Sequence, residues 1–268
     1  KSLTDPEVKK NILQNNDNNN PVTAADLEVN DFIIQKIHEK YKDISWEILS
    51  EENVKESSHN FDNKSDWVWV LDPLDGTKDF IQGTDNYAMH LALNYKQSSF
   101  IGVVLIPAKN QLWIADGEKV WCEDRNGLIF KPNKLECKTL QEMNLVTSKN
   151  HRNEILKKLI QKINFNKVQI MGSIGCKIAS LVRGENDIYI SLSIPGKSSP
   201  KDWDFAAPEA ILKASGGAIT TLDNKELAYG KNSFEQGGII VATRNKNTHG
   251  DICYEIKKII EKNEIYPL

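Results

Sequence analysis

Asp72 and Asp75 stand three residues apart in Trp69-Val-Leu-Asp72-Pro-Leu-Asp75-Gly-Thr77-Lys-Asp-Phe80, and carry the most chemistry in the chain. Pro73 fixes its own φ and has no N–H, so the spacing predicts that the strand stops and the chain turns there. A turn lets both carboxylates face one point, where the Leu74 carbonyl can join them. Carboxylates plus a backbone carbonyl are the ligand set for a hard cation such as Mg²⁺. Gly76-Thr77 then opens a short helix, whose free N–H groups and positive dipole end suit a phosphate oxygen. Metal ligands beside such a helix start imply phosphate ester chemistry. The same residues equally describe a turn that only caps a helix.

Three other segments bear on that choice. Ser50-Glu51-Glu52 follows a short strand pattern, and its acids are either site groups or solvated surface. Asp204, in Trp203-Asp204-Phe-Ala-Ala-Pro-Glu, opens an apolar helix, as a site acid or as an ordinary N-cap. Pro208 then falls in the first turn, where amides lack helical partners. Asp26, in Pro21-Val-Thr23-Ala-Ala-Asp26, sits in the first turn of its helix, as a functional acid or as a complement to the dipole.

The elements that must position these groups follow from periodicity. A short helix over Asp5–Leu13, capped by Asp5 with Pro6 at its first position, runs into a polar loop, Asn15–Asn20. Ala24 to about Tyr41 is helical, with Leu27, Phe32, Ile33, Ile34 and Ile37 near a 3.6 period. Trp46–Ser50 is a strand, and Trp67–Leu71 is a continuous apolar run that reads as a buried strand. Tyr87–Tyr95, Ser99–Ile106, Gln111–Asp116, Val120–Cys122 and Leu128–Lys131 follow at hairpin spacing, which predicts a largely antiparallel sheet. Turns fall at Lys96-Gln97, Pro107–Asn110 and Asp124–Gly127.

After about residue 136 the pattern changes. Strands at Leu145–Thr147, Val168–Met171, Ile188–Leu192 and Gly238–Thr243 alternate with helices at Glu154–Ile163, Ile174–Arg183, Phe205–Ala214 and His249–Lys262. The class is α+β, with an N-terminal lobe over 1–136 and a C-terminal lobe over 137–268 in one continuous fold.

Composition narrows the partners. The 268 residues are 40% hydrophobic, enough for substantial cores, and 34 basic against 37 acidic residues leave a formal net charge of −3. That balance excludes a basic coat for a nucleic-acid polymer, but not a local site for a small anion. Cys122, Cys137, Cys176 and Cys253 form no metal or disulfide spacing and read as reduced thiols of a cytoplasmic protein. No apolar run nears the roughly 20 residues of a membrane helix, and the opening KSLTDPEVKK has no apolar signal core. Trp113 and Trp121 read as core or lobe-edge residues, and Cys176 as a packed thiol. No activated Ser or Cys nucleophile is visible.

VTAAD, SEE, DPLDGT and WDFAAPE…GG, in this order from about Pro21 to about Thr243, resemble the inositol monophosphatase superfamily of metal-dependent, lithium-sensitive phosphatases. DGTK followed by Asp79-Phe80, then Ser148-Lys-Asn-His151, Gly172-Ser-Ile-Gly-Cys-Lys177, Asp187-Ile-Tyr189 and WDFAAPEAIL, is most similar to the 3′(2′),5′-bisphosphate nucleotidases. Lys149-Asn150 and the short, Asn-rich N-terminus depart from that pattern.

The resemblance implies a two-lobed, layered α/β/α/β/α sandwich. It implies that Glu51, Asp72, Asp75, Asp204 and the Leu74 carbonyl hold two Mg²⁺ ions, with a third, weaker ion near Glu51. Glu51, Thr77 and Asp26 would be catalytic, the last two as a proton relay. The Gly76 and Thr77 amides would hold the reacting phosphoryl group, with Lys78 and Asp204 also on the substrate. Lys177 and His151 would hold the second phosphate, on the 5′ side, with Ser148 and Ser173 as neutral donors; the alternatives are a solvated helix lysine and a surface histidine. The implied reaction removes the 3′-phosphate of adenosine 3′,5′-bisphosphate, and extends to 3′-phosphoadenylyl sulfate, in sulfur metabolism. An inositol or sugar monophosphatase and a catalytically silent phosphonucleotide-binding module are the rivals. The resemblance fits a monomer or a homodimer. Carboxylates gathered in one pocket repel, so the metal-free site is expected to be destabilised, with some carboxyl pKa values raised.

Overall fold

The structure is a computed structural model that describes residues 22–56, 61–62, 64–127, 129–130, 137–149, 153–194 and 199–266. The expected helix over Asp5–Leu13, the polar run Asn15–Asn20 and His151 lie outside the described residues.

Helix α1 (Ala24–Lys40) opens with a capping box, in which Thr23 and Asp26 each bond the other's backbone N–H. Seven strands follow in one sheet, side by side in chain order. They are β1 (Glu47–Ser50), β2 (Trp67–Asp75), β3 (Ala88–Tyr95), β4 (Ser98–Ile106), β5 (Gln111–Ala115), β6 (Val120–Glu123) and β7 (Ile129–Phe130). β1 pairs parallel with β2, and every other pairing is antiparallel. Strict alternation of buried and more exposed residues along β3 marks one face as core. Lys96 and Gln97 both take positive φ, as a two-residue hairpin with right-handed strand twist requires.

Two short helices interrupt the first sheet, α2 (Glu51–Glu56) after β1 and α3 (Thr77–Gln82) after β2. The second half supplies β8 (Asn144–Ser148), α4 (Glu154–Ile163), β9 (Lys167–Met171), α5 (Ile174–Val182), β10 (Ile188–Leu192), α6 (Asp202–Ala214), β11 (Ala218–Thr221), β12 (Ile239–Thr243) and α7 (Lys246–Lys262). Its sheet has the order β11-β12-β10-β8-β9, with β8 parallel to both neighbours and β12 antiparallel to both of its own.

The layers alternate. α1 lies on β2, α5 and α6 fill the space between the two sheets, and α4 and α7 cover the far face of the second. This is the expected α/β/α/β/α sandwich. The larger core joins Val70, Ala92 and Trp113 of the first sheet to Ile178, Phe205 and Ile211 of the middle helices and Ile240 of the second sheet. A separate core sits under α4 and α7. α6 rides close on β4 because Gly102 has no side chain; a Cβ there would meet the Ala207 carbonyl at 2.5 Å. Among the described residues no helix is long and apolar enough to cross a membrane.

Four expectations need correction. β2 does not stop at Asp72, because pairing with β3 resumes at Asp75 across a bulge. α6 begins at Asp202, three residues before the apolar pattern starts, so Pro208 lies in its second turn. There it leaves the Asp204 carbonyl without its helical N–H. α2 was not anticipated, since Glu-Glu-Asn-Val-Lys-Glu shows no apolar period. Nor was β11, which lies in a Gly-flanked stretch read only as a helix stop.

His249, in the first turn of α7, ties three elements together. Its Nε2 lies 2.7 Å from Thr220 Oγ1 of β11, and its Nδ1 lies 2.9 Å from Thr243 Oγ1 of β12. Burial pulls the imidazole down to about 4. A base whose folded pKa is depressed contributes stability that is complete above its unfolded value, near 6.5, and is lost as pH falls through about 4. The span corresponds to on the order of 3 kcal/mol. Thermal midpoints of the wild type and His249→Gln should therefore differ most above pH 6.5 and converge toward pH 4. A gap independent of pH would exclude this linkage.

Candidate active site and metal centre

The β2 bulge solves a parity problem. In a regular strand, residues three apart point to opposite faces. Between the pairs Asp72–His90 and Asp75–Ala88, β2 advances three residues while β3 advances two. The extra residue restores parity, and Pro73, which has no N–H to donate, is suited to the unpaired stretch. Asp72 and Asp75 therefore share a face. α6 brings Asp204 to the same point, and one oxygen from each of the three acids lies within 4.8 Å of the others.

Glu51, first residue of α2, comes within hydrogen-bond reach of Asp72. Lys55 holds α2 together, with its ammonium 2.8 Å from Glu51 and 2.9 Å from Glu52. α1 anchors this corner through Asn30, which accepts the Ser50 hydroxyl and donates to Asn53 Oδ1 at 3.0 Å. Asn30 lies one turn from Asp26 on a helix that is otherwise apolar on that side, which is the signal that would have found it.

Each of the three acids has one oxygen committed. Asp75 Oδ2 accepts from Ser173 Oγ at 2.7 Å, from Ile174 N, and from Gly175 N at 3.2 Å. Asp75 thus sits on the N-terminus of α5, where the dipole favours an anion. Asp72 Oδ1 accepts from Leu74 N at 3.0 Å, and Asp204 Oδ2 from Lys201 N. Ser173, expected as a donor to substrate, spends its proton on Asp75 and stands behind the site.

The electrostatics are those of a crowded anion cage. Removal from water raises Asp72 well above the ordinary carboxylate range, and the charges of Glu51, Asp75 and Asp204 raise it further. Burial, then Asp75 and Glu51, do the same to Asp204, against the Lys201 amide and Lys177. Such a cluster of hard oxygen donors fits a divalent cation, with Asp72, Asp75, Asp204 and Glu51 as candidate ligands. The Leu74 carbonyl stands at the same corner and accepts from Thr77 Oγ1 at 3.0 Å.

Thr77 begins α3, and Gly76 before it takes φ +90°. A Cβ at Gly76 would meet the Asn86 carbonyl at 2.8 Å, so only glycine fits this turn. Bonds onto the Gly76 carbonyl start at Asp79 N and Phe80 N, so the Gly76, Thr77 and Lys78 amides have no partner within the helix. Thr77 Oγ1 also lies 3.3 Å from Asp26 Oδ1, while Thr23 donates twice to Asp26 Oδ2. Burial raises the Asp26 pKa against those bonds.

Lys177 is not the solvated helix lysine its sequence position allowed. It is 1% exposed, donates to the Gly172 carbonyl at 2.6 Å, and lies 5.4 Å from the centre of the Tyr189 ring. Burial lowers its pKa, against the charges of Asp75, Asp204 and Asp79. Ser148 ends β8 beside the Tyr189 hydroxyl. Cys176 is packed and its thiol is pushed up to about 11, away from nucleophilic chemistry. Trp113 is wholly buried.

The chain matches the Inositol monophosphatase family over residues 3–261. It belongs to that family. Among relatives of this phosphatase superfamily, the 3′(2′),5′-bisphosphate nucleotidase of Buchnera aphidicola is 30% identical over 217 residues, covering 80% of this chain and 76% of that one. The fructose-1,6-bisphosphatase/inositol-1-monophosphatase of Thermotoga maritima is 27% identical over 247 residues, covering 90% and 84%. The fold also matches a solved Thermotoga maritima inositol monophosphatase with TM-score 0.72 at 24% identity, covering 97% of this chain and 93% of the other.

For this family member, relief of repulsion gives a test without substrate. Raised carboxyl pKa values mean stability that is present below the ordinary carboxylate range and lost as pH rises through the raised values. Mg²⁺ should therefore raise the thermal midpoint most at neutral pH and least near pH 4. Asp72→Asn should raise the metal-free midpoint by about 2–6 °C and remove most of the Mg²⁺ response. A metal-free Asp72→Asn protein less stable than the wild type would contradict the crowding.

Proposed function

We propose that this phosphatase hydrolyses the 3′-phosphate of adenosine 3′,5′-bisphosphate, giving AMP and phosphate, with Mg²⁺ held by Glu51, Asp72, Asp75, Asp204 and the Leu74 carbonyl. Bound there, the ion would supply Lewis acidity to a water and offset charge on the phosphoryl and leaving oxygens. The protein supplies the proton path and the cradle. Thr77 Oγ1 takes a proton from the attacking water as its own passes to Asp26 Oδ1. The raised pKa of Asp26 makes it a stronger base than an exposed carboxylate. The Gly76, Thr77 and Lys78 amides orient the phosphoryl oxygens without reorganising during the reaction.

Lys177 carries the choice of a bisphosphate. Its ammonium is buried, bonded to the Gly172 carbonyl and under the influence of Asp75, Asp204 and Asp79, so it would act on a second phosphate as a fixed positive charge behind the pocket wall and not as a direct donor. Ser148, and His151 outside the described residues, would complete that side. The name of the Buchnera relative supports the same substrate class, while that of the Thermotoga relative supports a sugar or inositol phosphate.

Phosphate release with Mg²⁺ separates the two. kcat/KM on adenosine 3′,5′-bisphosphate should exceed that on inositol 1-phosphate and fructose 1,6-bisphosphate by tenfold or more, and EDTA should abolish all turnover. The reverse order rejects the nucleotidase reading, and turnover unaffected by EDTA rejects the cation. Thr77→Ala should lower kcat by about 10²–10⁴ with little change in KM. Lys177→Met, which keeps the buried volume, should cost more on the bisphosphate than on 3′-AMP; equal losses remove Lys177 from selectivity.

A further inference from the structure

We propose that His90 is a positioning residue whose buried ring stands between Asp75 and the turn carrying Asp204, and so sets the spacing of the cation cage. The inference rests on the reading of those acids as cation ligands.

His90 stands beside Asp72 and Asp75 and against the residue before Asp204. Its backbone on β3 is paired with Asp72. Its Nε2 lies 3.3 Å from Asp75 Oδ2, and its Nδ1 lies 3.4 Å from the carbonyl of Trp203, the residue before Asp204. The ring is 1% exposed, so its orientation is set by packing. α5 leaves room for it at Gly175, where a Cβ would come within 2.3 Å of Nε2. The neighbours that shape this slot belong to β2, β3, α5 and α6. A ring in such a slot fixes how far α6 stands from β2 at the level of the acids.

Both neighbours of the ring are acceptors, and the neutral ring carries one hydrogen; on Nε2 that hydrogen makes the 3.3 Å approach to Asp75 Oδ2 attractive, though without hydrogen-bond geometry, and on Nδ1 it serves the Trp203 carbonyl instead. Outer partners that orient a ligand carboxylate change metal affinity by about 10–100-fold when removed. The contact falls on Asp75 Oδ2, the oxygen already bonded by the N-terminus of α5. Nothing in the Thr77–Asp26 proton path passes through His90.

Amide side chains test the two contacts separately. Gln places an N–H near the position of Nε2, and Asn near that of Nδ1. Mg²⁺ affinity is measured by calorimetry on the full-length wild type and on His90→Leu, His90→Gln and His90→Asn, each first checked for folding. His90→Leu should bind Mg²⁺ at least threefold more weakly, and about tenfold in the expected case. His90→Gln should lie closer to the wild type than His90→Leu does. A His90→Leu affinity within threefold of the wild type overturns the proposal, as does a His90→Gln variant no better than His90→Leu. If His90→Leu does not fold, tighter binding by His90→Gln than by His90→Asn supports the tie to Asp75, and equal or reversed affinities overturn it. A wild type that takes up no Mg²⁺ overturns the cation site itself and the tie with it; a wild type that binds while His90→Leu is unchanged overturns the tie alone.

Discussion

Mutual repulsion among converging, poorly hydrated carboxylates is the constraint that the site answers to. Asp72, Asp75 and Asp204 are within reach of one cation, and Glu51 adds its charge at the edge. Left alone they would drift apart or take up protons. The fold prevents drift by bonding each acid from behind. Leu74 N holds Asp72, the start of α5 holds Asp75, Lys201 N holds Asp204 and Lys55 holds Glu51. Three of those four donors are backbone amides, which cannot swing away. They offset part of the repulsion through hydrogen bonding without neutralising the charge that a cation requires.

The same bonds explain why the site and the fold are inseparable. Asp75 belongs to the first sheet, but its bonds come from Ser173, Ile174 and Gly175, about a hundred residues later. Asp204 arrives on α6, which packs on β2, β3 and β4 and against α5. α5 and α6 therefore do two jobs, filling the space between the sheets and aiming at β2. A site so assembled forms only when both sheets have docked. Glycine at 102 and 175 permits that docking, because a side chain at either would drive a helix away from the first sheet.

Much of this was legible in the chain because it is local. The run Trp67–Leu71 had to be a buried strand, and Asp72-Pro-Leu-Asp75 had to break its ladder. The five-layer architecture came from the resemblance that these motifs carry, not from periodicity alone. The form of the break was not legible: a turn and a bulge both follow from Pro73, and only the β3 register distinguishes them. α6 was read three residues late, because apolar periodicity starts at Phe205 while the helix starts at Asp202, a buried acid that accepts from Gly230 N and Gln236 Nε2. The burial of Ser173 and Lys177 was not legible for the opposite reason. A polar residue on a helix is solvated by default, and burial of both is decided by distant partners that one sequence does not reveal. His90 gave no signal at all, since a histidine within an alternating strand is ordinary.

Thr77 shows how closely the cage and the proposed proton path are joined. Its hydroxyl has one hydrogen and two acceptors in reach, the Leu74 carbonyl at 3.0 Å and Asp26 Oδ1 at 3.3 Å. The hydrogen serves one of them well, and the shorter distance favours Leu74. A cation drawing on the Leu74 carbonyl would compete for the same lone pairs and make that acceptor weaker. The hydroxyl would then turn to Asp26, with an oxygen lone pair left to face the pocket. A group at the edge of the cage can therefore be a poor relay without metal and a good one with it, with no movement of the backbone.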